Sequence, residues 1–151
     1  MNTDTLPTLA TLRSIDALKA LLCGERAAVE TYEQAIHAFH TDVPNELTRC
    51  LQSHQNRVEK LIVRIYELGG KPAESSGTWG AFARLVEGGA ALLGRTATVS
   101  TLEEGEDHGV RLYEERITDL DPESWNLVEG DLQLEQRASH AMIRDLRKKI
   151  L

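Results

Sequence analysis

Four ionisable residues of this chain, Glu25, His54, Glu106 and His140, occupy positions where a helical apolar row calls for a leucine or a valine. An isolated carboxylate on such a row is costly to bury; it neutralises, pairs with a cation or holds one. Two carboxylates and two imidazoles from four helices make a set of metal ligands suited to iron, manganese or zinc, and the interior of a helical bundle is a known place for such a set. The competing chemistry is a metal-free network. In it the same four residues bond to one another and to Tyr32, Tyr113, Gln136 and Arg137, with the Arg137 guanidinium taking the place of a metal beside Glu106 or Glu25.

The rows define the elements. From about Ser14 to His40 the inward residues are Leu18, Leu22, Glu25, Val29, Tyr32, Ile36 and Phe39, in alternating steps of three and four. Pro44 opens a second helix whose row is Leu47, Leu51, His54, Val58, Leu61, Ile65 and Leu68, and Gly69-Gly70 followed by Pro72 ends it. A third helix, about Ala97 to Thr118, carries Val99, Leu102, Glu106, Val110, Tyr113 and Ile117. Asp121-Pro122 restarts the chain, and the fourth helix carries Trp125, Val128, Leu132, Gln136, His140, Ile143 and Leu146. Between the second and third helices, residues 69–96 read as a long crossover with short helical pieces, around the apolar patch Trp79, Phe82, Leu85 and Val86.

The first and third helices repeat. Residues 24–36, GERAAVETYEQAI, and 105–117, GEDHGVRLYEERI, agree at six of thirteen positions at an offset of 81. Helical periodicity accounts for the shared valine, tyrosine and isoleucine; it does not account for an inward glutamate twice. The second helices match more weakly, through Ser53-His54 and Ser139-His140.

Composition narrows the function classes. The chain has 151 residues, a formal charge of −7, 41% hydrophobic residues and 5% aromatic ones. A net negative chain is a poor general binder of nucleic acid, and no apolar run approaches the roughly 20 residues of a membrane span. The absence of a basic-then-apolar start argues for a cytoplasmic protein. Cys23 and Cys50 read as packing thiols, His37, His40 and His108 as surface residues. No phosphate-binding glycine loop, zinc-protease motif or nucleophile elbow is present.

Gly24-Glu25 with Tyr32, and Gly105-Glu106 with Tyr113, resemble the ligand helices of ferritin-like proteins, especially the rubrerythrin type. A closer resemblance is to a family of small bacterial ferritin-like four-helix proteins of uncharacterised function. It rests on Leu68-Gly69-Gly70-Lys71-Pro72, Ser76-Gly77-Thr78, Leu102-Glu103-Glu104-Gly105-Glu106-Asp107, Tyr113-Glu114 and His140 with Ile143-Arg144-Asp145-Leu146-Arg147. The resemblance implies an up-down-down-up bundle and no established activity. A ferritin-like di-iron site takes a Glu from each of two helices and Glu-x-x-His from the other two. Here Leu51 and Arg137 stand three residues before the histidines.

Register adds a further expectation. The midpoint of Glu25 and His54 is 39.5, whereas the turn signals centre near 42–43, which sets His54 off level by roughly 8 Å at ~1.5 Å per residue. The midpoint of Glu106 and His140 is 123, close to the Asp121-Pro122 turn, so the second hairpin is expected to cooperate and the first is not. The sequence is thus expected to give an all-α, ferritin-like four-helix bundle over 13–151 (hairpin 14–68, crossover 69–96, hairpin 97–150) behind a flexible tail at 1–12. Its expected role is non-catalytic and without a cofactor, with a polar core network and self-association into a homo-oligomer. The alternatives are a reduced metal or oxidoreductase site built from Glu25, His54, Glu106 and His140, and a partner-binding module using the crossover surface around Trp79 and Phe82.

Overall fold

In a computed structural model, residues 6–74 and 90–150 are described, with side chains from 94 onward in the second stretch. Trp79, Phe82 and the rest of 75–89 lie outside the described residues, so the crossover surface does too. The described residues are all-α, with four long helical segments and no strand.

Helix α1, Leu9–Phe39, starts five residues before the Ser14 boundary expected from the sequence. The cause is a cap: Thr8 is extended, and its side chain accepts a hydrogen bond from the Thr11 amide, satisfying a donor of the first turn. Helix α2, Asn45–Glu67, ends as the double glycine predicts. Gly69 has φ 84, its N–H bonds to the Tyr66 carbonyl, and the Gly70 N–H reaches back to Ile65 at 2.9 Å. Helix α3, Ala90–Arg116, is broken at Gly94 (φ 78, ψ 168), so the regular helix that carries the third row begins just beyond it.

Helix α4 comprises Pro122–Leu127, a π-helical turn over Val128–Leu132, and Gln133–Ile150. The wider turn changes its inward row. Ser124, Val128, Leu132 and Gln136 are buried at steps of four, and Ser139, Ile143 and Leu146 continue at steps of three and four. Trp125, expected on that row, is 41% exposed instead.

Helix α1 packs against α2 and α3, and α4 packs against α3 and α2. Two apolar clusters fill the interior. One gathers Phe39, Leu47, Val99, Leu102, Ile143 and Leu146; the other gathers Leu18, Leu22, Leu61, Ile65, Val128 and Leu132. Each such side chain contributes about 1.5–3 kcal/mol by leaving water. Between the two clusters lies a layer of buried polar residues.

At one end of the helices Asp121 ties three elements together. Its carboxylate accepts from the Ser124 amide as the cap of α4, from Ser14 Oγ of α1 at 2.5 Å, and from Arg64 Nη2 of α2 at 2.9 Å. Asp121→Ala should therefore cost more than a helix cap alone, about 2–3 kcal/mol, because Arg64 also loses a partner while largely buried. Ser14→Ala should cost less, and urea denaturation of both variants checks the order.

Candidate functional site

The polar layer is built from two residues of each helix. Glu25 and Tyr32 come from α1, His54 and Arg57 from α2, Glu106 and Tyr113 from α3, and Gln136 and Ser139 from α4. All are buried, and Arg57 is 0% exposed.

Its centre is an imidazole between two carboxylates. His54 Nδ1 lies 2.6 Å from Glu25 Oε2, and Nε2 lies 2.9 Å from Glu106 Oε1. The expected mismatch in level between Glu25 and His54 does not occur. The chain reverses at His40-Thr41, nearer the midpoint of the two residues than the turn signals suggested. Asp42, Val43 and Pro44 then run back outside helical backbone, Pro44 with ψ 137. Extended residues advance about 3.3 Å each against about 1.5 Å in a helix, and this makes up the deficit.

The tyrosines serve across the repeat. Tyr32 OH donates to Glu106 Oε1 at 2.5 Å, and Tyr113 OH donates to Glu25 Oε1 at 2.8 Å. Each tyrosine of one helix thus holds the repeat-equivalent glutamate of the other. The ring of Tyr32 belongs to one apolar cluster and that of Tyr113 to the other, while both hydroxyls enter the polar layer. Burial, and then the neighbouring carboxylate, push both phenols well above their ordinary range, so they remain neutral donors.

The other Glu106 oxygen, Oε2, accepts from Gln136 Nε2 at 2.7 Å and from Ser139 Oγ at 2.9 Å. Arg57 completes the set. Its Nε lies 3.0 Å from Glu25 Oε1, an ion pair whose N–H is not aligned as a hydrogen bond. Nη1 and Nη2 lie 3.5 and 3.4 Å from Ser139 Oγ, and Nη2 lies against the imidazole, 2.5 Å from Nδ1 and 3.2 Å from Nε2.

Electrostatics assigns the protons. Burial opposes ionisation of Glu25, but Arg57, His54 and the Tyr113 hydroxyl outweigh it and lower its pKa to about 2. Glu106 is lowered against the same burial by His54, Tyr32 and Arg57. Burial and the Arg57 charge both oppose a charged His54; Glu106 and Glu25 prevail, and its pKa is raised. Carboxylates only accept, so an imidazole that bridges two of them donates from both nitrogens and is protonated, and the Arg57 Nη2 beside Nδ1 is then a close approach of two donors and not a hydrogen bond. The centre then holds two negative and two positive charges.

Of the residues expected to ligate, Glu25, His54 and Glu106 converge and His140 does not. Its Nε2 pairs with Asp107 Oδ1 at 2.6 Å, outside the core. At about 100° per residue the row that holds Gln136 and Ile143 passes through 139, so the buried position is Ser139 and His140 is turned aside. Arg137 is exposed, and the guanidinium expected from it is supplied by Arg57 on the other hairpin. The signal for Arg57 was its place three residues after a seam histidine, on the row Cys50, His54, Arg57, Leu61. Cys50 is a buried packing residue whose thiol burial pushes up to about 12, which leaves it without thiolate reactivity at neutral pH. His37, His40 and His108 are exposed. Among the described residues, no group of three or more His, Cys, Asp and Glu is arranged to hold a metal ion.

A narrow cleft between α1 and α3 reaches this layer, with a cavity volume of about 10 Å³, no more than one water needs. Gly24, Gly105 and Gly109 form its walls, and Glu25, Glu106 and Gln136 lie among its lining. A Cβ at Gly109 would stand 2.7 Å from Gln136 Nε2, so the glycine keeps α3 close to the amide that holds Glu106.

A family described as a domain of unknown function, DUF2383, matches residues 13–119. The chain belongs to the DUF2383 family. The matched region carries Glu25, Tyr32, His54, Arg57, Glu106 and Tyr113, whereas Gln136 and Ser139 lie beyond it. No curated protein and no solved structure matches the chain significantly.

The charge assignment fixes the sign of two pH effects. Glu25, lowered from 4.5, contributes stability that is present above pH 4.5 and lost as pH falls toward 2. His54, raised from 6.5, contributes stability that is complete below pH 6.5 and lost as pH rises through its raised value. Urea midpoints should therefore peak between these limits, and His54→Gln should flatten the alkaline limb. Tyr32→Phe and Tyr113→Phe should each cost about 1–3 kcal/mol, since each withdraws a donor from a buried carboxylate. Denaturation of the two single variants and of the double variant tests this, with a non-additive sum expected because His54 touches both carboxylates.

Proposed function

We propose that this chain is a non-catalytic, cytoplasmic, ferritin-like four-helix bundle whose interior polar layer is structural. The observation that carries this reading is the occupation of all four oxygens of Glu25 and Glu106 by protein groups. Oε1 of Glu25 faces Tyr113 and Arg57, and Oε2 faces His54. Oε1 of Glu106 faces His54 and Tyr32, and Oε2 faces Gln136 and Ser139.

The up-down-down-up arrangement is supported by residue pairs. On α1 and α3, position 25 meets 113 and 32 meets 106, so these helices are antiparallel. On α2 and α4, Lys60 meets Asp131 and Arg64 meets Ser124, again antiparallel. A ferritin-like reading also gives the polar layer a register. His54 and Arg57 on α2 and Gln136 and Ser139 on α4 are both i, i+3 pairs and are both separated by 82 residues. On that reading they take the places of Glu-x-x-His in a di-iron protein, one turn beyond the Leu51-x-x-His54 register read from the sequence.

The residues present do not fit such a metal centre. A cation bound between Glu25 and Glu106 would displace His54 and lie beside the Arg57 guanidinium, and Gln136 and Ser139 offer only neutral oxygens. Self-association is the partner reading, supported by exposed Val63 and Tyr66 on α2 and Trp125 and Leu134 on α4.

A protein purified without a polyhistidine tag should contain only substoichiometric iron, manganese and zinc by elemental analysis. Its melting temperature should not move with added Fe(II) or Zn(II), because a ligand of the folded state would raise it. Stoichiometric metal that Glu106→Ala removes would overturn the reading and favour the alternative of a reduced metal site.

A further inference from the structure

Two carboxylates from facing helices, buried at 3% and 2% exposure, need positive charge within contact distance. A divalent cation could supply it; here the chain does. His54 lies between the two carboxylates, but an imidazole carries one charge against two and could itself serve as a ligand. Arg57 is different. It is wholly buried, permanently charged and has no lone pair to offer a metal.

Its guanidinium lies 3.0 Å from Glu25 Oε1, touches the imidazole, and reaches Ser139 Oγ, which donates to Glu106. It therefore touches Glu25 and His54 and reaches Glu106 through one intermediate group. A divalent ion placed between the two carboxylates would meet a like charge that cannot leave without taking a contact cation from the buried Glu25.

We infer that Arg57 is a built-in counter-ion that closes the Glu25–Glu106 pair against divalent metal ions. The same side chain that neutralises the layer thus decides its ion specificity, and removing that one charge converts the layer into a metal site. Removing Arg57 frees Glu25, Glu106 and a deprotonated His54, which are not arranged around one point in the wild type, to turn toward a first-row ion such as zinc or cobalt as a three-ligand set with net negative charge. The inference rests on the metal-free reading above.

The test uses Co(II), whose visible absorption reports coordination by protein ligands, with the full-length chain. Arg57→His replaces the charge with a fourth ligand at the same helical position. It should bind Co(II) at one equivalent or more, at least about tenfold more tightly than the wild-type chain, and its melting temperature should rise with Co(II) while that of the wild type stays constant. Glu106→Ala in the same background should abolish the absorption bands.

If Arg57→His does not fold, Arg57→Gln, neutral and of similar length, takes its place, and Co(II) should raise its melting temperature. The inference is overturned if the wild type, isolated metal-free, binds Co(II) as tightly as the variants. It is equally overturned if a folded variant, shown helical by circular dichroism, gives no bands and no thermal response. Stoichiometric metal in the wild type as purified would instead overturn the metal-free reading itself.

Discussion

Two carboxylates lie in the middle of the four helices, and the arrangement of the interior follows from keeping them charged there. Removing an ionised carboxylate from water costs several kcal/mol even after relaxation. The layer around Glu25 and Glu106 offsets that cost with two cations, two phenols, an amide and a hydroxyl. Every helix supplies part of the compensation, so no helix can slide or rotate without leaving a buried charge short of a partner. The apolar clusters on either side supply cohesion; the polar layer decides alignment.

The internal repeat takes on a physical meaning in this light. The duplicated Glu and Tyr do not form two separate sites within their own helices. They exchange partners, Tyr32 with Glu106 and Tyr113 with Glu25, which ties α1 to α3 twice in opposite senses. The other two helices break the symmetry. Helix α2 brings both positive charges, and α4 brings neutral groups that hold only Glu106. One carboxylate therefore rests against a guanidinium and the other against an amide and a hydroxyl, so the two equivalent glutamates differ in electrostatic surroundings. This asymmetry places the unusual residue, Arg57, on a single helix, and gives Glu25 a charged partner that Glu106 reaches only through Ser139 and His54.

The four-helix architecture is what helical periodicity anticipates. Of the four seam polars, Glu25, His54 and Glu106 meet and His140 does not, the reverse of the register read from the turn signals. The differences have local causes. His140 lies one residue off the buried row because Ser139 fits the steps from Gln136 to Ile143, and the π-helical turn puts Ser124 rather than Trp125 inward. Glu25 and His54 meet because three non-helical residues after the turn cover more distance than a helix would. Arg57 is not marked as a core residue by its type, because arginine is usually a surface residue, and its burial depends on partners 32 and 82 residues away in the chain.

By itself the sequence determined the number of long helices, the ends set by Gly69-Gly70 and Asp121-Pro122, and the placement of Glu25, His54 and Glu106 on inward rows. These depend on local terms: propensity, capping and a period of about 3.6 residues. Only the tertiary structure decided which cation neutralises the carboxylates, that each tyrosine crosses to the opposite helix, and that His140 turns to Asp107. Those outcomes depend on helix rotation and loop path, where a shift of one residue turns a side chain by about 100° and exchanges one partner for another.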